Sequence, residues 1–444
     1  MRIIIIGTGE VGRHISNTLS GQKHDVTVVE RDPARAAMLQ NQLDALVVEG
    51  NGASPKFLHG IGADGADLLL AVTEKDEVNV LAAASGHRLG VKRTLARVRE
   101  ADYFGGDSAF VKDVLGVDLL IDPERTTADD LADTLGVPGA VNIDTFAEGR
   151  IALVEVAITK RSPLCGVVVA ERAGPRPHSI VGVLRDGRAV IPTAHERLGP
   201  GDHVVAAAAR EDVARVAEYI DGAPRRVNDV VVFGGGKIGF HLAKRLERDD
   251  FEVKVIEVDE HRARHLGEKL PHAVVLHEEE VSEEAFLTHG IDQAGAFVAC
   301  AGDDRTNLLA SMHAKRLGTN LCLAVVSREQ YVPLVDALGI DAAFSLRLTT
   351  AEAILRFVHA ESLQAIHLLL SGAEVLDLHA FENCAMVGQK IGHINSLKDA
   401  EVGGIVRDKR VIIPEDGEPI RAGDRVLVFR LQGGSSEVEQ AFNA

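Results

Sequence analysis

Two glycine-rich turns hold the residues best suited to chemistry in this chain: Gly7-Thr8-Gly9-Glu10-Val11-Gly12 and, 227 residues further on, Gly234-Gly235-Gly236-Lys237-Ile238-Gly239. Each ends an apolar run, Ile3 to Ile6 or Val230 to Phe233, and each is followed after 23 residues by a glutamate, Glu30 or Glu257. Glycines at this spacing let a strand turn sharply into a helix and bring backbone N–H groups up to a diphosphate at the helix's positive end. An acid closing the next strand accepts hydrogen bonds from ribose hydroxyls, which favours NAD or an adenine nucleotide; Arg31 beside Glu30 leaves NADP open.

Further polar residues fall on the same sheet edge. The loop after the third strand is Gly50-Asn51-Gly52 in the first half and Glu278-Glu279-Glu280 in the second. Three carboxylates there would repel a diphosphate unless a divalent cation sat between them, whereas Lys237 could pair with a phosphate. After the fourth strand come Val72-Thr73-Glu74-Lys75-Asp76-Glu77-Val78-Asn79 and Cys300-Ala301-Gly302-Asp303-Asp304-Arg305-Thr306-Asn307, placing Thr73, Asp76 and Asn79 as ligand contacts or helix caps. His261 and His265 with Asp259 have a metal-ligand spacing but lie in a segment charged all round, which reads as a solvated helix. Cys300 reads as a small buried apolar residue. No Ser-His-Asp signature, HExxH or P-loop lysine motif is present, so neither a catalytic nor a metal site is expected.

The elements that must position these residues alternate. Short β runs at Ile3 to Ile6, Asp25 to Glu30, Ala45 to Glu49, Asp67 to Thr73, Arg93 to Val98 and Asp118 to Ile121 are separated by segments that suit helices, the rhythm of a doubly wound parallel sheet. Asp122-Pro123 closes that sheet, and Thr126-Thr127 is expected to cap a helix through Ala128 to Leu135, before the Gly136-Val137-Pro138-Gly139 break. From 141 to 223 short strands and turns, among them Asp186-Gly187 and Gly201-Asp202, make a small α+β module; Pro224 to Asn228 is a polar linker. The pattern then starts again. Thr349-Thr350-Ala351-Glu352 echoes Thr126-Thr127-Ala128-Asp129, and Pro192 and Gly201-Asp202 return 222 residues later as Pro414 and Gly423-Asp424. The expected organisation is Rossmann-type domains at 1–122 and 229–346, crossover helices at 123–140 and 347–364, and small α+β domains at 141–223 and 365–444.

Composition narrows the partners. The chain has 444 residues, is 46% hydrophobic and 26% charged, and has a formal net charge of −18, which disfavours nonspecific binding to nucleic acid or anionic lipid. Four isolated cysteines form no disulfide framework, and no apolar stretch approaches a membrane span, so a cytoplasmic protein is expected, peripheral if it works at a membrane.

The paired glycine turns, the run Ala71-Val72-Thr73-Glu74-Lys75-Asp76-Glu77-Val78-Asn79, the strand Ala96-Arg97-Val98-Arg99 and two copies of a small domain with a Gly-Asp turn resemble the TrkA family, regulatory subunits of Trk-type potassium uptake systems built from tandem RCK (KTN) domains. The resemblance covers essentially the whole chain. It implies a non-enzymatic subunit on the inner face of the plasma membrane, binding NAD(H) and ATP or ADP with Arg97 among the contacts. It also implies a homotetrameric ring of eight RCK domains that gates a membrane-embedded potassium-translocating subunit. Related rings place an arginine in the glycine loop, where this chain has Glu10 and Lys237, so the half that separates ATP from ADP stays open. Two other readings remain: a soluble nucleotide sensor with a non-transport partner, and an NAD-dependent dehydrogenase, which would need a proton-transferring His, Lys or Tyr near the nicotinamide.

Overall fold

The computed structural model describes all residues except 23, 101–102, 104–109, 170–177, 186–187, 194, 223–226, 279–281, 360–363, 369–372, 396–399, 414–416, 432–436 and 443–444. Asp186, Gly187, Pro224, Glu279, Glu280 and Pro414 therefore lie outside the described residues.

The first half opens with β1 (Arg2–Ile6), α1 (Glu10–Gly21), β2 (Asp25–Glu30), α2 (Pro33–Leu39), β3 (Leu46–Glu49), α3 (Pro55–Gly60), β4 (Leu68–Ala71), α4 (Asp76–Leu89), β5 (Arg93–Arg97) and β6 (Leu119–Ile121). The six strands form one parallel sheet in the order β3-β2-β1-β4-β5-β6, the doubly wound order whose topological switch point lies between the paired strands β1 and β4. Ile3, Ile4, Ile5 and Leu68 to Ala71 are buried on both faces, which explains their unbroken apolar runs. Asp32 and Ser54 start α2 and α3 by accepting from the backbone N–H three residues on, each followed by proline in the first turn.

Next come α5 (Pro123–Leu135), β7 (Asn142–Phe146), β8 (Ile151–Ala157), β9 (His178–Arg185), β10 (Arg188–Val190), β11 (His203–Ala209) and α6 (Val213–Asp221). Here one expectation is corrected. Asp122, not Thr126 or Thr127, begins α5: its Oδ1 accepts from Arg125 N at 3.1 Å and Pro123 takes the first turn. The two threonines lie inside the helix, with hydroxyls donating back to Asp122 O at 2.8 Å and Pro123 O at 2.9 Å, a backbone bond open to threonine in a helix interior as well as at a cap.

The second half repeats the series: β12 (Asp229–Phe233), α7 (Lys237–Arg248), β13 (Glu252–Glu257), α8 (Glu260–Lys269), β14 (Val274–His277), α9 (Glu283–Thr288), β15 (Ala296–Ala299), α10 (Asp304–Leu317), β16 (Leu321–Val326), β17 (Ala342–Ser345) and α11 (Leu346–His359). It ends with β18 (Gln364–Leu368), β19 (Ala373–His379), α12 (Ile391–Asn395), β20 (Ala400–Arg407), β21 (Arg410–Ile412), β22 (Arg425–Leu431) and α13 (Glu437–Phe442). Its parallel sheet has the same order, β14-β13-β12-β15-β16-β17. The small antiparallel sheets, β10-β9-β11-β8-β7 and β18-β19-β22-β20-β21, share one topology read from opposite ends. Both keep the Gly-Asp turn for one purpose. Arg185 grips Asp202 through two bonds of 2.7 Å, and Arg407 grips Asp424 through two of 2.8 Å, tying the end of one strand to the turn before another.

Two compact units result: Met1–Thr127 with Leu346–Val358, and Ala128–Ser345 with His359–Ala444. The two crossover helices are thus exchanged between the halves. Within the first unit the Arg93 guanidinium stacks 4.0 Å from the Phe357 ring of α11 and donates to the carbonyls of Phe357 and Val358. Within the second, Ala128, Leu131, Ala132 and Leu135 of α5 pack among Val230, Val232, Leu242 and Val298, and Arg245 bridges Asp129 and Asp133 at 3.1 Å each. The second unit also holds both small sheets, which share a core in which Phe146, Ile151, Val181 and Val205 meet Val375, Val406, Leu427 and Phe429.

Candidate nucleotide sites

Each of the three glycines in the first turn has its own reason. Gly7 has φ +103°, a left-handed conformation, and a Cβ there would stand 2.8 Å from the Thr73 methyl and 2.9 Å from its backbone nitrogen. At Gly12 a Cβ would drive into the Gly7 carbonyl oxygen, so this glycine sets how closely α1 packs on β1. Gly9 differs. Its φ of −60° and ψ of −177° are open to any residue, and a Cβ there meets nothing within 4 Å. The fold does not demand glycine at this point, and the space above the N-terminus of α1 is open.

The remaining predicted residues converge on that opening. Thr8 is buried and donates its hydroxyl to Glu30, whose other oxygen accepts from Asp32 N at 2.8 Å, so the carboxylate is fixed at the end of β2. Arg31 is exposed beside it. Glu10 and Val11 form the first turn of α1, Glu10 exposed and Val11 buried. Asn51 shapes its own loop by accepting from Ala53 N at 3.1 Å, and Gly52 packs so tightly on Ile6 that a side chain is excluded.

Asp76 and Asn79 have structural duties. Asn79 is fully buried: its Oδ1 accepts from the Thr73 N–H at 2.8 Å and hydroxyl at 2.7 Å, while its Nδ2 donates to Thr73 O at 2.9 Å and Arg97 O at 2.8 Å. It therefore clamps the end of β4 to the end of β5 and presents Thr73 at the crevice. Asp76 does the same for the next loop, accepting from Arg99 N and Glu100 N at 2.8 Å each. Asn79→Ala would strand three backbone groups, Thr73 N, Thr73 O and Arg97 O, and an expected loss of about 2 to 4 kcal/mol should appear as an earlier first transition in a thermal melt. Arg97 carries a buried Nε without a hydrogen-bond partner, and burial, then the neighbouring Arg99 charge, pushes its pKa down. Arg99 binds Glu124 at 2.9 Å, and burial raises Asp122 to about 6. An orphaned guanidinium donor beside a second arginine, at the C-terminal edge of a parallel sheet, suits an anion.

The second turn repeats the geometry with altered chemistry. Gly234 (φ +102°) is pressed against Ala301, Gly239 against the Gly234 carbonyl, and Gly236 again has open space around it. Asn307 repeats the clamp, bonding both polar backbone groups of Ala301 and the carbonyl of Val325. Glu257, however, is only 2% exposed and already saturated by Gly235 N and Asp259 N at 2.8 Å each and by Arg262 at 3.2 Å. Glu278 is bound by His289. Lys237 is exposed at the start of α7 and Ile238 partly buried behind it. Cys300 donates to Gly234 O at 3.3 Å and burial pushes its thiol up to about 12, far from a nucleophile's range. His261 and His265 are exposed on α8, and Asp259 spends its carboxylate capping that helix.

One residue at the first turn had no signal in the sequence. Arg347, at the start of α11, reaches the Glu10 carboxylate at 3.1 Å across 337 positions of chain.

Comparison with known proteins fits this geometry. The family model of the TrkA-N domain matches residues 3–123 and 230–346, and that of the TrkA-C domain matches 153–221 and 381–443. The chain is 31% identical to the Trk system potassium uptake protein TrkA of Azorhizobium caulinodans, covering 100% of this chain and 98% of that protein. It is 32% identical to the TrkA homolog of Archaeoglobus fulgidus, covering 100% of both, and 33% identical to TrkA of Halomonas elongata, covering 97% and 95%. Among solved structures the GsuK RCK domain superposes with a TM-score of 0.61 at 20% identity over 99% of this chain and 94% of that one. The GsuK channel bound to NAD gives 0.61 at 21% identity over 99% and 78%. Both likenesses concern the fold.

Proposed function

The chain belongs to the TrkA family, and from that premise we propose that it is a non-enzymatic regulatory subunit that binds nucleotides in its first half and thereby gates a Trk-type potassium-translocating membrane partner. No described helix is long and apolar enough to cross a membrane, which accords with a peripheral role at the inner face of the plasma membrane. The observation that carries the proposal is Gly9, a glycine that neither backbone strain nor packing requires, at the mouth of a doubly wound crevice lined by Glu30 and Thr73. Gly7 to Gly12 would supply N–H groups to a diphosphate, Glu30 would accept from the ribose, and Arg97 offers an unspent donor. NAD(H) and ATP or ADP fit that donor set, and a bound nucleotide would add phosphate charge to it. The GsuK structures bound to NAD and to ADP support the choice of ligands. The domain boundaries stated above, and a homotetramer presenting eight RCK domains, belong to the same proposal. In the second half the saturated Glu257 makes a ribose a weaker competitor, so the first pocket is the principal site.

Gating requires only that the ligand bind two conformations unequally, with about 1 to 3 kcal/mol of coupling. The direct test is calorimetric titration of NAD, NADH, ATP and ADP into the full chain and into Glu30→Ala. Losing charge-assisted bonds to the ribose should weaken binding of all four by about 10- to 100-fold, beside a stability loss of about 1 to 3 kcal/mol from the buried Thr8 hydroxyl left without its acceptor. Equal affinities in mutant and wild type would sink the ribose role of Glu30.

A further inference from the structure

The ion pair between Glu10 and Arg347 sits at the first turn of α1, beside the diphosphate site proposed above. Glu10 is the first residue of α1, next to the open Gly9, and its side chain is 51% exposed; Arg347 is only 18% exposed, held at the lip of the turn by α11. A carboxylate beside a phosphate-binding helix N-terminus works against the ligand, since the like charges repel within a few ångströms. An arginine bonded to that carboxylate cancels the repulsion, and its planar fork is suited to phosphate oxygens. The repeat keeps opposite charges at the two equivalent positions with the signs reversed: Lys237 stands for Glu10, and Glu124 for Arg347.

Resting on the nucleotide-binding role of the first turn, we propose that Arg347 reads the charge of the bound ligand: Glu10 holds it when the turn is empty of phosphate, and a terminal phosphate takes it over when ATP or ADP binds. NAD has no terminal phosphate and two singly charged ones, so it draws Arg347 less strongly. The exchange has a structural consequence through the chain itself. Arg347 lies in the first turn of α11, which runs on in sequence to the module at 365–444, so ligand charge acts on the helix that leads to that module.

Calorimetry of the full-length chain with ATP, ADP and NAD, comparing wild type with Arg347→Gln, Arg347→Lys and Glu10→Gln, tests this. Arg347→Gln should weaken ATP about tenfold or more while NAD changes by less than about threefold, and Arg347→Lys should recover most of the loss. Glu10→Gln should strengthen ATP, because both the repulsion and the competitor are removed. A purely structural bridge predicts otherwise, since breaking it from either side would have the same effect. The proposal falls if Glu10→Gln weakens ATP as Arg347→Gln does, or if the ATP-to-NAD affinity ratio is the same in wild type and Arg347→Gln. Should Arg347→Gln fail to fold, Glu10→Gln still decides: ATP affinity unchanged or weakened in that variant overturns it. Wild type that binds none of the three nucleotides, or a Gly9→Glu variant that binds them unimpaired, would overturn the nucleotide role of the turn itself and take this proposal with it.

Discussion

Gly12→Ala is expected to lower the melting temperature of the first unit by about 6 to 12 °C, while Gly9→Ala leaves it unchanged. The opposition is informative because helix propensity alone predicts the reverse order. Gly12 lies inside α1, where alanine normally stabilises by about 0.5 to 1 kcal/mol, and Gly9 lies just outside it. Packing decides against propensity. The added methyl at position 12 would enter the Gly7 carbonyl oxygen, a backbone atom that moves only if α1 lifts off β1, at a cost of about 3 kcal/mol. Gly239→Ala should behave alike against Gly234 O. A larger residue at the open position, as in Gly9→Glu, should leave circular dichroism and melting intact but reduce nucleotide affinity at least about 100-fold, by filling the approach to the N–H groups and adding a charge of the wrong sign. Differential scanning fluorimetry and calorimetry on the four variants check both arms. A Gly9→Glu protein that melts early would mean that Gly9 is structural after all.

The parallel sheets were legible because burial on both faces forces unbroken apolar runs, and because glycine spacing reports a backbone geometry that few other sequences satisfy. The duplication was legible for the same reason. The exchange of α5 and α11 was not, since Leu131 and Leu135 announce an apolar helix face without stating which sheet it covers. Distance in sequence likewise hid the bridge from Arg347 to Glu10. The sequence places Asn79 at the right edge with two possible duties, and only the fold commits its amide to Thr73 and Arg97. The acidic loop has a partner that its sequence does not announce: the Glu278 carboxylate bonds to His289, eleven residues away in a segment with no motif of its own.

The largest single loss of stability outside the glycine turns is expected at Asp424. It is fully buried, accepts two bonds from Arg407 and one from Arg421 N at 2.7 Å, and Arg407 also binds Glu418 at 2.7 Å and Pro419 O at 2.8 Å. Asp424→Asn keeps the shape and removes the charge, leaving a guanidinium only 13% exposed with half its compensation, for an expected cost of about 3 to 5 kcal/mol. Asp202→Asn should cost less, because its partner Arg185 is 41% exposed and water can stand in for the lost oxygen charge. The two differ in degree only; each carboxylate also accepts from a backbone N–H of its turn, Arg421 or Gly199. The pH dependence of the Asp202 staple follows from its sign. Arg185 holds the Asp202 carboxyl below its ordinary value of 3.8, with burial opposing and the Gly199 N–H assisting. A depressed carboxylate contributes stability that is whole above the unfolded value and disappears as pH falls through the folded one. The gap in melting temperature between wild type and Asp202→Asn should therefore stay constant from about pH 7 down to about pH 5 and close below about pH 4. A gap that persisted in acid would mean that asparagine costs the turn something other than the carboxylate's charge.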